Sequence, residues 1–153
     1  MENRTLHFTA PIVQQGNRAF LVLPEEVGDR WGKRPHHYVA GTISERKVRG
    51  RTEVWNGQYI LPLGPTWLRD NEVQVGTNVE CVLCLESPVI EELADDIASA
   101  LEAEPQAKAF FEEIAPFYRK NYLRWIEDAK SPETRAGRIA EVVQLLKEGR
   151  RQR

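Results

Sequence analysis

The residues best suited to chemistry fall in four places. Cys81 and Cys84 make a C-x-x-C, and His36 and His37 are adjacent. Seven Lys and Arg crowd residues 30–51, and WIEDAKSPETRAGRI at 125–139 packs a tryptophan, carboxylates, a lysine and two arginines into the corner between two helical stretches. The cysteines suggest redox or metal chemistry, but they sit in NVECVLCLE, which reads as a strand. Residues three apart on a strand point to opposite faces, so the pair is expected to be reduced and structural. No further ligands stand at zinc spacing. His36 and His37 diverge on an extended segment and His7 is remote, so no metal and no cofactor is expected.

A nucleophilic enzyme needs an activated Ser, Cys or Lys beside a base, and the chain has neither a G-x-S-x-G nor a phosphate-cradling glycine loop. The paired acids Glu25-Glu26, Glu91-Glu92, Asp95-Asp96 and Glu112-Glu113 fall at helix starts or on helix faces, where they meet the dipole or water. Enzymatic activity has no positive support in the sequence.

Arg30, Lys33, Arg34, Arg46, Lys47, Arg49 and Arg51, with His36 and His37 nearby, are opposed between 30 and 51 only by Glu45. If these segments lie side by side, they offer a phosphate-binding surface on which Tyr38 or Trp55 would stack, a nucleic-acid reading. The simpler account is a solvated hairpin whose cations guard a sheet edge, and this account is favoured because no groove-reading helix accompanies the cluster.

The 125–139 corner also has two accounts. Ser131 suits an N-cap, Pro132 the first helical position and Glu133 the positive dipole end, while Lys130 suits the end of the preceding helix. Trp125 is then core, and Glu127 or Asp128 pairs with Arg135 or Arg138. The functional account makes Lys130, Thr134, Arg135 and Arg138 a cationic notch which, with Tyr122 and Trp125, would bind an anion or a partner.

The 153 residues and 41% hydrophobic content suffice for a core. No run is apolar enough to span a bilayer and MENRTLHFTA lacks a signal-peptide core, so the chain reads as cytoplasmic, without membrane insertion. Charge divides unevenly. Residues 1–86 balance, 87–113 hold one cation against eight acids, and 114–153 hold ten cations against five acids. Attraction between the last two segments within one bundle is the expectation.

The first segment offers six strand-like runs: TLHFTAPIV, AFLVLP, HYVAGTI, KVRGRTEVW, QYILPL and NVECVLCLE. After Ser87-Pro88 the spacing turns helical. The stripes are Leu93/Ile97/Ala100/Leu101, Phe110/Phe111/Ile114/Phe117, Tyr118/Tyr122/Trp125/Ile126/Ala129 and Ile139/Val142/Val143/Leu146, with Pro105 separating the first two helices. The reading is an α+β chain: a β-barrel domain over 1–88 and a helical bundle over 89–153.

Within the barrel, AFLVLPEEVGDRWGKRPHHYVAGTI and QYILPLGPTWLRDNEVQVGTNVECVL echo each other as strand, Leu-Pro, short helix with tryptophan, loop and strand. Alignment of Pro24 with Pro62 brings Trp31 near Trp67 and Val39 near Val79, suggesting a pseudo-twofold barrel complete in one chain. The pattern resembles the swapped-hairpin unit of AbrB/MazE-type barrels, a resemblance of fold that does not carry DNA binding with it.

The segment FFEEIAPFYRKNYLRWIEDAKSPETRAGRIAEVVQLLKEG resembles the C-terminal region of the YdeI/OmpD-associated, or bacteriocin-protection, family. The resemblance rests on Phe110-Phe111, Tyr122, Trp125-Ile126, Ala129-Lys130, Glu133-Thr134-Arg135, Arg138-Ile139, Leu145-Leu146 and Gly149. AFLVLPEEVGDRWG, YVAGTI, YILPLG and the valine-rich last strand are similar to the β-barrel domain of unknown function that precedes that region. Two departures stand out: Ser44-Glu45-Arg46-Lys47 replaces a glycine turn, and Gly76-Thr77 replaces Gly-Asp. The resemblance implies a bacterial role in bacteriocin tolerance or envelope stress without defining a molecular activity. The expectation is a noncatalytic protein that binds a protein or a small anionic ligand. Its alternatives are a nucleic-acid-binding regulator and an unrecognised enzyme.

Overall fold

The computed structural model describes residues 4–153, and the chain forms two compact units, one reaching to Glu86 and one beginning at Ser87. The first contains β1 (Thr5–Gln15), β2 (Arg18–Val22), α1 (Val27–Trp31), β3 (Tyr38–Ile43), β4 (Arg46–Arg51), β5 (Glu53–Trp55), β6 (Gln58–Leu63), α2 (Pro65–Asp70) and β7 (Asn78–Leu85). All pairings are antiparallel in one curled sheet of order β4-β3-β7-β1-β2-β6-β5. Along β1 alternate residues turn inward: Leu6 and Ile12 are fully buried, and Phe8 and Ala10 pack against the same core.

KVRGRTEVW is not one strand. It breaks at Thr52, whose backbone N–H donates to the His37 carbonyl at 2.8 Å while its hydroxyl accepts from the His37 N–H at 2.8 Å. The break puts β4 and β5 at opposite ends of the sheet order although one residue separates them. β1 behaves alike, pairing with β7 through residues 5–11 and with β2 through residues 12–15.

The strand registers obey one relation. Leu21 faces Leu61 and Thr42 faces Val82, each pair forty residues apart. Advanced by forty, the β1–β2 pair Ile12↔Leu21 lies on the β5–β6 register, and Phe8↔Cys81 is matched by Gly41↔Val48. The relation extends into the loops, where Ile12 N–H donates to Thr77 O as Thr52 N–H donates to His37 O. The pairing therefore has twofold internal symmetry. The alignment of Pro24 with Pro62 is corrected: Leu23 corresponds to Leu63, and Trp31 and Trp67 are not equivalent positions. The repeat also begins earlier, at β1 and β4.

One turn and one strand position show where glycine is and is not required. Ser44 and Glu45 both adopt positive φ, 50° and 66°, so a left-handed two-residue hairpin forms with no glycine. At Gly41 an added Cβ would stand 1.9 Å from the Val82 carbonyl oxygen, so the approach of β3 to β7 requires glycine.

The second unit holds a short 3-10 turn (Ile90–Glu92), then α3 (Asp95–Glu102), α4 (Pro105–Glu113), α5 (Pro116–Glu127) and α6 (Pro132–Lys147). Proline opens α4, α5 and α6, where its missing N–H costs nothing. The Ser131 hydroxyl accepts from Thr134 N–H at 3.1 Å, capping α6. At its other end Gly149, φ 75°, lets Arg150 N–H reach Leu145 O. Ile97, Leu101, Phe111, Ile114, Tyr122, Ile126, Ile139, Val142 and Leu146 form the core.

Two aromatic expectations are corrected. Pro116 begins a new helix, so Phe117 leaves the α4 stripe and is 65% exposed. Trp125 is half-buried, at the edge of the core rather than in it. The acidic and basic segments meet through Asp96–Arg135 at 2.7 Å and Glu104–Lys147 at 2.8 Å.

Candidate functional site

Trp125 lies on α5 one helical turn after Asn121 and Tyr122, a spacing that puts the three on one side of the helix. Two guanidinium groups lie against its indole ring, Arg138 at 4.9 Å and Arg153 at 4.1 Å from the centroid. Arg138 also donates to the Trp125 carbonyl at 2.7 Å, which fixes its side chain from α6. Beside the indole a cleft of about 340 Å³ opens between Asn121, Arg124, Asp128, Gln152 and Arg153. Amide and guanidinium donors dominate its rim, with Asp128 the opposing carboxylate. The buried Tyr122 hydroxyl donates to the Arg150 carbonyl; burial raises its pKa against the nearby Arg150 and Arg153 charges.

The other corner residues point elsewhere. Arg135 makes a two-pronged bond to Asp96 at 2.7 and 3.0 Å, not to Glu127 or Asp128. That hydrogen bond is the main cause of the lowered Asp96 pKa and of the raised Arg135 pKa. Thr134 is taken up by the Ser131 cap and Lys130 faces water. The structure thus joins Tyr122, Trp125 and Arg138, and does not bring Lys130, Thr134 and Arg135 to them. Sequence reasoning missed Asn121 and Asp128 as cleft residues, although their places one turn before and after Trp125 on α5 could have found them. Gln152 and Arg153 carry no periodic signal.

In the basic stretch most cations have internal partners. Arg30 donates to Thr5 O at 3.2 Å and pairs with Glu26 at 3.7 Å. Arg34 donates to Trp31 O at 2.8 Å, and its backbone N–H and carbonyl both bond the Tyr59 hydroxyl. Arg46 lies 4.0 Å from Glu72, Arg49 pairs with Glu86, and His36 stands edge-on to Tyr38. Lys33, Lys47 and Arg51 are exposed. β4 is an end strand of the sheet, and Lys47, Arg49 and Arg51 alternate along it with Val48 and Gly50.

His37 does not belong to that surface. It is 2% exposed, its ring lying 5.7 Å from Trp31 and 4.9 Å from Tyr59, with Nε2 2.7 Å from Gly32 O. Burial lowers its pKa to about 4, outweighing the Gly32 hydrogen bond and assisted by the Arg34 and His36 charges, so the ring is neutral and Nε2–H is the donor. Cys81 is buried and its thiol is pushed up to about 11, whereas Cys84 is partly exposed, paired with Thr5 and Ala40 across the sheet; both are free. Among the described residues no group of three or more His, Cys, Asp or Glu could hold a metal ion, and no helix is long and apolar enough to cross a membrane.

Arg119 was missed by sequence reasoning. It is 5% exposed, and its guanidinium donates to Ile114 O at 3.0 Å, Pro88 O at 2.9 Å and Glu112 O at 2.6 Å, over the Phe111 ring. It is a structural clasp for the α4–α5 turn.

These features define an α+β protein in which a curled antiparallel sheet precedes a helical unit. Residues 8–83 match the model of a domain of unknown function, DUF1905, and residues 92–149 match the family described as Bacteriocin-protection, YdeI or OmpD-Associated. The chain thus carries, in order, a segment similar to DUF1905 and a segment similar to the YdeI/OmpD-associated family. No curated protein matches it.

Proposed function

We propose that the protein is a noncatalytic bacterial binding protein associated with bacteriocin tolerance or a related envelope stress, and that its helical unit takes a small anion or an anionic group of a partner at the Trp125 cleft. The observation that carries this reading is the convergence of the Arg138 and Arg153 guanidiniums on one half-buried indole beside an open cleft. Guanidinium groups present paired donors to carboxylate and phosphate, and their seating on an aromatic ring holds them in place before a ligand arrives. The family description supports the physiological part of the reading. The forty-residue relation supports a swapped-hairpin, double-split barrel of AbrB/MazE type for the first unit, complete within one chain, and the packed helices support a bundle for the second.

Titration of the protein with inorganic phosphate and with citrate, followed at the Trp125 indole N–H by NMR, tests the site. Saturable shifts that weaken about tenfold in Arg138→Gln are expected, the size of one charge-assisted contact. Absence of saturable shifts, or equal affinity in the variant, would overturn the reading.

A further inference from the structure

The two halves of the first unit are related by pairing but not by filling. In the second half Leu68 and Val73 pack against the core behind α2. Their counterparts forty residues earlier are Gly28, which has no side chain, and Lys33, which is exposed. There the structure holds a cleft of about 450 Å³ walled by Leu23, Pro24, Val54 and Tyr59, with Lys33, Glu25 and Gln58 also lining it. The side chains that occupy this place in one half are missing from the other, where the cleft lies.

Three features of the hollow suit one kind of occupant. The first is a free stretch of sheet edge. Trp55↔Gln58 closes the two-residue turn Asn56-Gly57 and so exchanges hydrogen bonds, which makes Val54↔Tyr59 the next, non-bonded pair. The Tyr59 carbonyl accordingly faces the other way and accepts from Leu23 N–H at 2.9 Å. The Val54 N–H and C=O therefore point out of the sheet at its β5 end. The second feature is apolar surface: Val54 is 54% exposed beside Leu23 and Pro24. The third is charge, because Lys33 and Glu25 line one cleft with opposite signs, and neither has an ion-pair or hydrogen-bond partner among the described residues.

We infer that this cleft binds a short zwitterionic peptide with apolar side chains. The peptide main chain pairs with Val54 as an added strand residue, its carboxylate meets Lys33, its ammonium meets Glu25, and an apolar side chain covers Leu23, Pro24 and Val54. An extended main chain answers the open N–H and C=O, and a zwitterion answers both charges; an anion alone would leave Glu25 opposed. The site is separate from the Trp125 cleft and does not depend on it.

The test is titration of the full chain with the dipeptide Leu-Leu, read by amide NMR at Val54, Lys33 and Gly57. Saturable shifts confined to these positions are expected. Lys33→Gln, an exposed change that leaves the core intact, should weaken binding about tenfold, and N-acetyl-Leu-Leu-amide should bind more weakly by a similar factor. Gly28→Leu should abolish binding by filling the hollow as Leu68 fills its counterpart. The backbone there accepts a Cβ, which would stand 3.4 Å from Lys33 Cγ, an ordinary contact. If Gly28→Leu fails to fold, Lys33→Gln and the uncharged probe decide. No saturable shift with Leu-Leu, equal binding of the uncharged probe, or full affinity in a folded Gly28→Leu would overturn the inference.

Discussion

His37 and Trp125 are each held in a cluster of aromatic and basic groups, but water reaches only one of them. His37 is enclosed by Trp31 and Tyr59 and its own Nε2–H is spent on Gly32 O. Trp125 meets two guanidiniums at the rim of a cleft. Both clusters look alike as strings of residues, Trp-x₅-His and Trp-x₁₂-Arg. The difference lies in what satisfies the polar atoms: backbone carbonyls close the first cluster, whereas the second leaves donors facing solvent. A closed cluster stabilises its fold and an open one retains the capacity to bind.

Substitutions should separate the two, beginning with the largest effect. Trp31→Ala removes a side chain 2% exposed and the Nε1–H bond to Arg4 O at 2.6 Å, and should lower stability by about 4 kcal/mol in urea denaturation. Trp125→Ala should cost only about 1 kcal/mol while removing phosphate-dependent shifts at the amides of Asn121 and Gln152, which line the same cleft; equal losses of stability would erase the contrast.

Acid should act on the closed cluster alone. In the unfolded chain His37 takes a proton near pH 6.5, but in the folded protein only at about 4. The unfolded state therefore binds the extra proton in this window, and stability complete above pH 6.5 is lost as pH falls towards 4, by about 2 kcal/mol. His37→Gln should flatten that part of the pH profile of the urea midpoint, and an unchanged slope would assign the effect elsewhere. A change of stability alone is expected at the cap that positions α6: Ser131→Ala should cost about 1 kcal/mol and leave the cleft residues in place, which a thermal melt and the Trp125 indole signal would check together.

Much of the backbone was legible because local rules decided it. Inward alternation marked β1, and Ser131-Pro132-Glu133 marked the start of α6. Thr52 was not legible as a corner, since its break comes from hydrogen bonds to His37, fifteen residues away, and nothing in KVRGRTEVW itself interrupts a strand. His37 seemed exposed because it sits among cations, yet its neighbours in space are Trp31 and Tyr59. The repeat was visible but its phase was not, because two Leu-Pro pairs offered a more conspicuous match than the register of Leu21 with Leu61. At the candidate site helical spacing gave Tyr122 and Trp125 but could not tell that Arg135 is occupied by Asp96 while Arg138 is turned to the indole. Arg119 was hidden because a guanidinium that bonds three carbonyls has the same sequence appearance as one in water.

The placement of β1 beside β7 sets when the first unit can come into being. Thr5 lies opposite Cys84, so the first strand waits for the last before its longest ladder can form. During synthesis the amino-terminal segments must leave the ribosome almost complete before they close into a sheet. The helices that follow join residues nearer in sequence and have less chain entropy to overcome. On a nascent chain the order of folding is therefore not dictated by the order of translation: the unit made first is the one whose assembly has to wait.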